Sequence, residues 1–534
     1  MGNRHLGRAL AAALAIGLAA SAGPVAMAET LADAITAAYE NNPNLQAQRA
    51  TQRALDETYV QARSGWRPTL TLQASGTYEF LRTPRSELFR LQRFATRERG
   101  NSGLAQFTFT QPIWTGGRTA AAVTAANADV LSGRESLRRL EVQVLQAVIQ
   151  AYADVRLAQQ TVAIRQADLE VLGGQLKENQ ARFDVGEVTR TDVAQAQARQ
   201  VGAQALLNSA EAQLEVARAS YASLVGRNPG ELAPEPSLTY LMPANVDEAF
   251  DVAEKNNPAL RAQEFAEQAS RARIAGARAE RMPDVSFQSQ LRFANGQIDP
   301  LIGRQYDTEE TAGITVTMPL FNGGLTTSRI RESIERNNAD KITVETQRRN
   351  VLQTVSQAWN QLLAARSNIS ATAEQVRAAT IAAQGTHEEQ QVGLRTTIDV
   401  LNAEQELRGA QLSHVTARHD EYLLSANVLA AMGRLEARNL IPDQPQYDPK
   451  SNFRRLRITW GWVPWEEPIA VFDRFVAVPP IPQSHSLSRE PAMGPGLKSQ
   501  PPAQSQLPEG FPHVAPPPGQ MPPPRAPAAP PPAR

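Results

Sequence analysis

The chain of 534 residues carries 54 basic and 54 acidic side chains, a balance that excludes the basic footprint of a nucleic-acid-binding protein. It has no cysteine, which excludes disulfides, thiolate nucleophiles, cysteine metal sites and a lipidated N-terminal cysteine. Beyond the N-terminus no segment approaches the roughly 18 uninterrupted apolar residues of a spanning helix, so any passage through a membrane must be made by strands.

Arg4 and Arg8, the apolar run Ala9 to Ala20 and then Ala26-Met27-Ala28 have the order of a secretory signal peptide, with Glu29 as the first mature residue. Leu31 to Glu40 reads as a short helix broken at Asn41-Asn42-Pro43, where Asn42 serves as a cap and Pro43 enters the first turn of a helix running to about Ser64. The same break returns 215 residues later as Asn256-Asn257-Pro258, a displacement that also carries Leu45 onto Leu260 and Pro68 onto Pro283. The chain is therefore a tandem repeat.

After Pro68, residues 69–80 alternate, with Leu70, Leu72, Ala74, Gly76, Tyr78 and Phe80 on one face and polar residues on the other. A second strand holds Phe107 and Phe109 and runs up to Pro112. The second half answers with Val285, Phe287, Leu291 and Phe293, then Ile314, Val316 and Met318. Four strands are expected, joined by the long polar segments Arg82 to Gly103 and Asn295 to Asp307, which suit the outward loops of a membrane barrel. A half-buried sheet in a soluble domain would alternate in the same way, so the period leaves both open.

Ile113-Trp114-Thr115-Gly116-Gly117 and Leu320-Phe321-Asn322-Gly323-Gly324 mark the return to helix, now 207 residues apart. From there the halves stay in register, Tyr152 on Trp359, Gly186 on Gly393, Asp192 on Asp399 and Gly226 on Gly433. Val148, Val155, Val162, Leu169 and Leu176 recur every seven residues, with Ala151, Ala158 and Leu172 between them, as in a coiled-coil seam. A helix from Thr119 to Phe183 is about 65 residues and roughly 100 Å long, too long for a compact globular domain. A free-standing coiled-coil stalk is the alternative. It has no need of a strand pair inserted at one end of each helix pair.

Each long helix ends in a turn, V-G-E-V-T-R-T-D-V at Val185 to Val193 and V-G-L-R-T-T-I-D-V at Val392 to Val400. Gly186 or Gly393 closes the helix, and Thr189 with Asp192, or Thr396 with Asp399, has the spacing of a capping box that starts the next one. Residues 441–478 read as an irregular collar segment packed on the helices, with Trp460, Trp462 and Trp465 close together. The Pro/Ala-rich stretch 479–534 lacks the composition for a core and reads as an extended tail. The division is thus a signal peptide at 1–28, a first repeat at 29–230 with its strand pair at about 68–113, a second at 231–440 with its strand pair at about 283–320, then collar and tail.

His387-Glu388-Glu389-Gln390-Gln391 is not a zinc motif, and His414 and His419 are five apart, poor spacing for one metal. There is no phosphate loop, G-x-S-x-G or Cys/His pair, so neither an active site nor a cofactor is expected.

The doubled N-N-P-x-L, the strand pairs, the Gly-Gly after each second strand and V-G-L-R-T-T-I-D-V-L-N-A-E-Q-E-L together resemble the TolC family of outer-membrane channel-tunnels over residues 30 to 440. The resemblance implies a mainly α protein with membrane β: a homotrimer in which each chain gives four strands to one transmembrane β-barrel and its helices to a long coiled-coil α-barrel in the periplasm. Four strands cannot close a barrel alone, which independently calls for several chains. The resemblance further implies a gate latch at Thr191, Asp192 and Arg395, with Gln390 in place of the family's tyrosine. A lumen ring of acidic residues falls on Asp399, with Asn402 in place of a second aspartate and Glu406 as its substitute. Contact with a periplasmic adaptor (membrane fusion) protein falls on Val185, Gly186, Val392, Gly393 and Leu394. The expected function is the outer-membrane exit duct of a tripartite system for type I protein secretion or drug efflux, fed by an inner-membrane ABC or proton-driven pump, surrounded by outer-membrane lipid and binding no nucleic acid. The alternative is a non-conducting trimeric stalk.

Overall fold

The computed structural model describes residues 28–82, 97–295 and 306–475, other than 457 and 459. The signal peptide up to Met27, the strand connections 83–96 and 296–305 and the tail lie outside the described residues. The first repeat runs α1 (Leu31–Asn41), α2 (Pro43–Arg63), β1 (Thr69–Arg82), β2 (Arg97–Trp114), α3 (Arg118–Asp184) and α4 (Arg190–Val225). The second keeps that order as α5 (Val246–Asn256), α6 (Pro258–Ala279), β3 (Asp284–Asn295), β4 (Tyr306–Thr317), α7 (Leu325–Gln391) and α8 (Thr397–Ala431). Three short helices follow, α9 (Ala437–Leu440), α10 (Pro449–Arg455) and α11 (Glu466–Phe475).

The repeated Asn-Pro break has a tertiary role beyond its cap. Asn42 accepts the Asn44 and Leu45 N–H groups to start α2, and its amide reaches the Leu224 carbonyl at the far end of α4 (3.3 Å). Asn257 does the same for α6 and donates to the Ala431 carbonyl of α8 (2.9 Å). One side chain thus satisfies orphan backbone groups of two helices. This places α1–α2 and α4 end to end along α3, with α2 against its strand-proximal half and α4 against its distal half. α3 and α7 are each 67 residues long, about 100 Å. On α3 the seam residues Val148 and Val155 are buried, whereas Val162, Leu169 and Leu176, nearer the turn, are only half covered within the protomer.

The strands form one antiparallel sheet in the order β1-β2-β3-β4. Leu70 lies opposite Phe109, Leu72 opposite Phe107, Phe107 opposite Leu291, and Phe287 opposite Ile314, so the apolar residues of all four strands share one face as a band, interrupted by Ser289 opposite Phe109 and Glu310 opposite Leu291. The band begins at the helix-proximal end, at Leu70 and Val316. The strands are longer than the alternation suggested: β2 starts at Arg97, paired with Arg82, and β4 at Tyr306, paired with Asn295. Once a ladder has formed, pairing can continue through polar residues, because its hydrogen bonds are made by backbone N–H and C=O groups. Among the described residues no helix is long and apolar enough to cross a membrane.

The segment after the second repeat departs from the irregular collar expected of it. It contains α10 and α11, and α11 is locked onto the junction where β2 returns to helix. Asp473, fully buried, accepts hydrogen bonds from the Thr115, Gly117 and Ala120 N–H groups, the Thr115 hydroxyl and the Trp66 indole. It supplies the cap that Gly117, without a side chain, cannot give α3. Glu466, equally buried, bridges Arg63 (2.6 Å) and Arg67 (2.9 Å).

Candidate functional site at the hairpin tips

Both long helices end on the same backbone geometry. Gly186 (φ +83°) and Gly393 (φ +79°) occupy the left-handed region, where a Cβ would be strained. The Gly186 N–H donates to the Phe183 carbonyl at 2.9 Å and Glu187 to Arg182 at 2.8 Å; Gly393 to Gln390 and Leu394 to Glu389 repeat both distances. Each returning helix opens with a complete capping box. Asp192 accepts the Thr189 N–H (2.9 Å) and hydroxyl (2.7 Å), and Asp399 those of Thr396 (3.0 and 2.7 Å). The threonine hydroxyl first, and its N–H second, hold both carboxyls below the usual range, so both are charged at neutral pH.

Each tip also closes an ion pair on its own hairpin. Arg395 donates to Glu389 on its own hairpin (2.7 Å), and Arg182 donates to Glu187 on the other (3.2 Å). Within the described residues of one protomer Arg395 pairs with Glu389 at the end of α7, and Asp192 with its own cap at Thr189. Thr191 is exposed. Gln390 is buried, with its amide 3.4 Å from the Thr397 hydroxyl across the turn. Val185, Val392 and Leu394 are exposed at 70–75%. Asp399 is half-buried and Glu406 exposed.

Near the tips the hairpins are linked directly above the turns, on residues of which sequence reasoning named only Asn402. Arg199 of α4 donates to Asn402 (3.2 Å) and Gln405 of α8, so Asn402 sits on the seam between the hairpins. Arg408 of α8 lies 3.7 Å from Asp168 of α3 and also pairs with Glu404 (3.2 Å). Beneath them Leu172 of α3, Ala203 of α4 and Leu401 of α8 form a small buried cluster. A signal for this seam was present: Arg199 and Glu406 are equivalent in the repeat yet opposite in charge.

The two histidines serve separate contacts. His414 meets the Thr372 hydroxyl (3.1 Å), and His419 of α8 bridges Asp154 of α3 (2.7 Å) and its neighbour Asp420 (3.0 Å). Burial pulls the His419 pKa down, but hydrogen bonds and attraction from Asp154 and Asp420 outweigh it and raise it above 6.5. A raised folded-state pKa contributes stability that is complete below the unfolded value and lost as pH rises through the folded one. The melting temperature is therefore expected to fall on going from pH 6 to pH 8.5, and to fall less in His419→Gln. Equal pH slopes for the two proteins in thermal scans would contradict this.

A family model described as outer membrane efflux protein matches residues 34–227 and 249–434, one stretch in each repeat. The chain is 34% identical over 455 residues to the outer membrane efflux protein BepC of Brucella suis biovar 1 (strain 1330), covering 84% of this chain and 95% of that protein. It is 27% identical over 318 residues to the alkaline protease secretion protein AprF of Pseudomonas aeruginosa, covering 59% of this chain and 66% of that protein. Its fold is similar to that of the outer-membrane channel OprN, with a TM-score of 0.64 at 22% identity over 76% of this chain and 89% of that one.

Proposed function

The chain belongs to the outer membrane efflux protein family and is an outer-membrane exit duct for efflux or type I secretion, and we propose that it works as a homotrimer gated at its hairpin tips. One observation carries the assembly. Among the described residues β1 and β4 are each paired on one side only, and an open edge facing lipid is not tolerated, so β4 of one protomer joins β1 of the next. The resemblance to the TolC family supports a count of three chains and twelve strands.

In this reading the exposed apolar tips at Val185-Gly186 and Val392-Gly393-Leu394 receive a periplasmic adaptor, which couples the duct to an inner-membrane ABC or proton-driven pump. Thr191, Asp192 and Arg395 act between neighbouring protomers. Asp399 and Glu406, about two turns apart on α8, give the lumen a cation preference.

Single-channel recording of the purified trimer in a planar bilayer tests this. A conducting, cation-preferring pore is expected, with the preference reduced in Asp399→Asn, which keeps the cap acceptor and removes the charge, and reduced further when Glu406→Gln is added. A trimer that does not conduct would make it a stalk instead.

A further inference from the structure

α11 is amphipathic in the reverse of the usual sense. Glu466, Ala470 and Asp473 lie on one face at helical spacing and are buried in the protein, whereas Pro468, Val471, Phe472 and Phe475 lie on the opposite face and are exposed, Phe475 at 89%. A helix that buries its carboxylates and turns its aromatic residues outward is matched to surroundings less polar than water. The preceding turn adds exposed Ile458, Trp460, Trp462 and Trp465.

The position of α11 identifies those surroundings. Asp473 pins it to Trp66, Thr115 and Gly117, and Trp465 donates to Gln111 near the end of β2 (2.9 Å). Leu70, where the apolar band of the sheet begins, is four residues from Trp66, about 13 Å of extended chain at most. The helix therefore stands where the lipid-facing strands give way to the periplasmic helices. Tryptophan with phenylalanine at the edge of an apolar band is the composition of a membrane–water interface.

We propose that Trp460 to Phe475 is a lipid-binding foot, with its Val471/Phe472/Phe475 face set in the headgroup–acyl boundary of the periplasmic leaflet of the outer membrane. The buried carboxylates fix its orientation, and the exposed aromatics extend the strand band sideways beyond the barrel wall. The rival occupant is the adjacent protomer, whose Leu320 and Phe321 are 88% and 91% exposed at the equivalent junction of the second repeat.

The absence of cysteine permits a direct test on the full chain. Phe475→Cys, Leu72→Cys and Val392→Cys, each carrying a bimane probe, are reconstituted into phospholipid vesicles and quenched either by nitroxide-labelled lipids or by aqueous iodide. Phe475 is expected to be quenched several-fold more by lipids labelled near the glycerol level than by iodide, with Leu72 reached by lipids labelled deeper and Val392 by iodide alone. Dominant iodide quenching at Phe475 overturns the foot. Protection from both quenchers also overturns it and assigns the face to a second copy. The proposal rests on the membrane location of the strands, so failure of lipid quenching at Leu72 sinks that location together with it, whereas failure at Phe475 alone sinks only the foot.

Discussion

Glu466→Ala is expected to release α11 from the junction, raising amide exchange across Glu466–Phe475 by roughly two to three orders of magnitude. The variant leaves Arg63 and Arg67, both 7% exposed at the side chain, without the carboxylate that lies between them. Breaking a buried ion pair from one side costs about 3–5 kcal/mol, because desolvated charge loses the partner that offset its burial. Glu467 is 60% exposed and holds Arg63 at 2.9 Å, so it compensates only in part. Replacing the triad together, with Glu466→Leu, Arg63→Met and Arg67→Leu, is expected to recover most of the loss, since apolar residues of similar volume carry no desolvation penalty. Exchange in Glu466→Ala equal to that of the parent protein would show that α11 is held by Asp473 alone.

Arg199→Ala combined with Arg408→Ala is expected to raise single-channel conductance several-fold. Flow through a long duct is set by its narrowest section, and in this reading that section is where the hairpin tips converge. Arg199 and Arg408 tie the second hairpin to the first above the turns. Arg199 bonds neutral amides near solvent and is worth no more than about 1 kcal/mol. Arg408 contributes more because it is mostly buried beside Asp168, a carboxyl whose pKa burial raises while Arg408 lowers it. In the proposed trimer each link recurs three times, so small terms add in the closed state. Arg395→Ala is expected to act in the same direction but more weakly, since within one protomer its partner Glu389 lies on the same hairpin and its proposed link to a neighbouring protomer is exposed to solvent. Unchanged conductance in the double variant, measured in the same bilayers, would remove the seam from the gate.

What the sequence determined by itself is whatever depends on neighbours along the chain. The Gly186 and Gly393 stops, the Thr189/Asp192 and Thr396/Asp399 boxes and the Asn-Pro breaks are i to i+3 chemistry, and each is found where its residues stand. The 207-residue register set equal lengths for α3 and α7, and the alternation set the apolar face of the sheet. What only the tertiary structure decided is partner choice between residues far apart in the chain. Arg199 of α4 meets Asn402 of α8, 203 residues further along the chain. Asp473 caps a helix that begins 355 residues earlier, at Arg118, a pairing that no local pattern encodes. The orientation of α11 is the sharpest case. Its two faces are readable as a period, but a period does not say which face turns inward. That was settled by Arg63, Arg67 and the bare N-terminus of α3, which together offer buried carboxylates more than water does, and so turn the aromatic face outward.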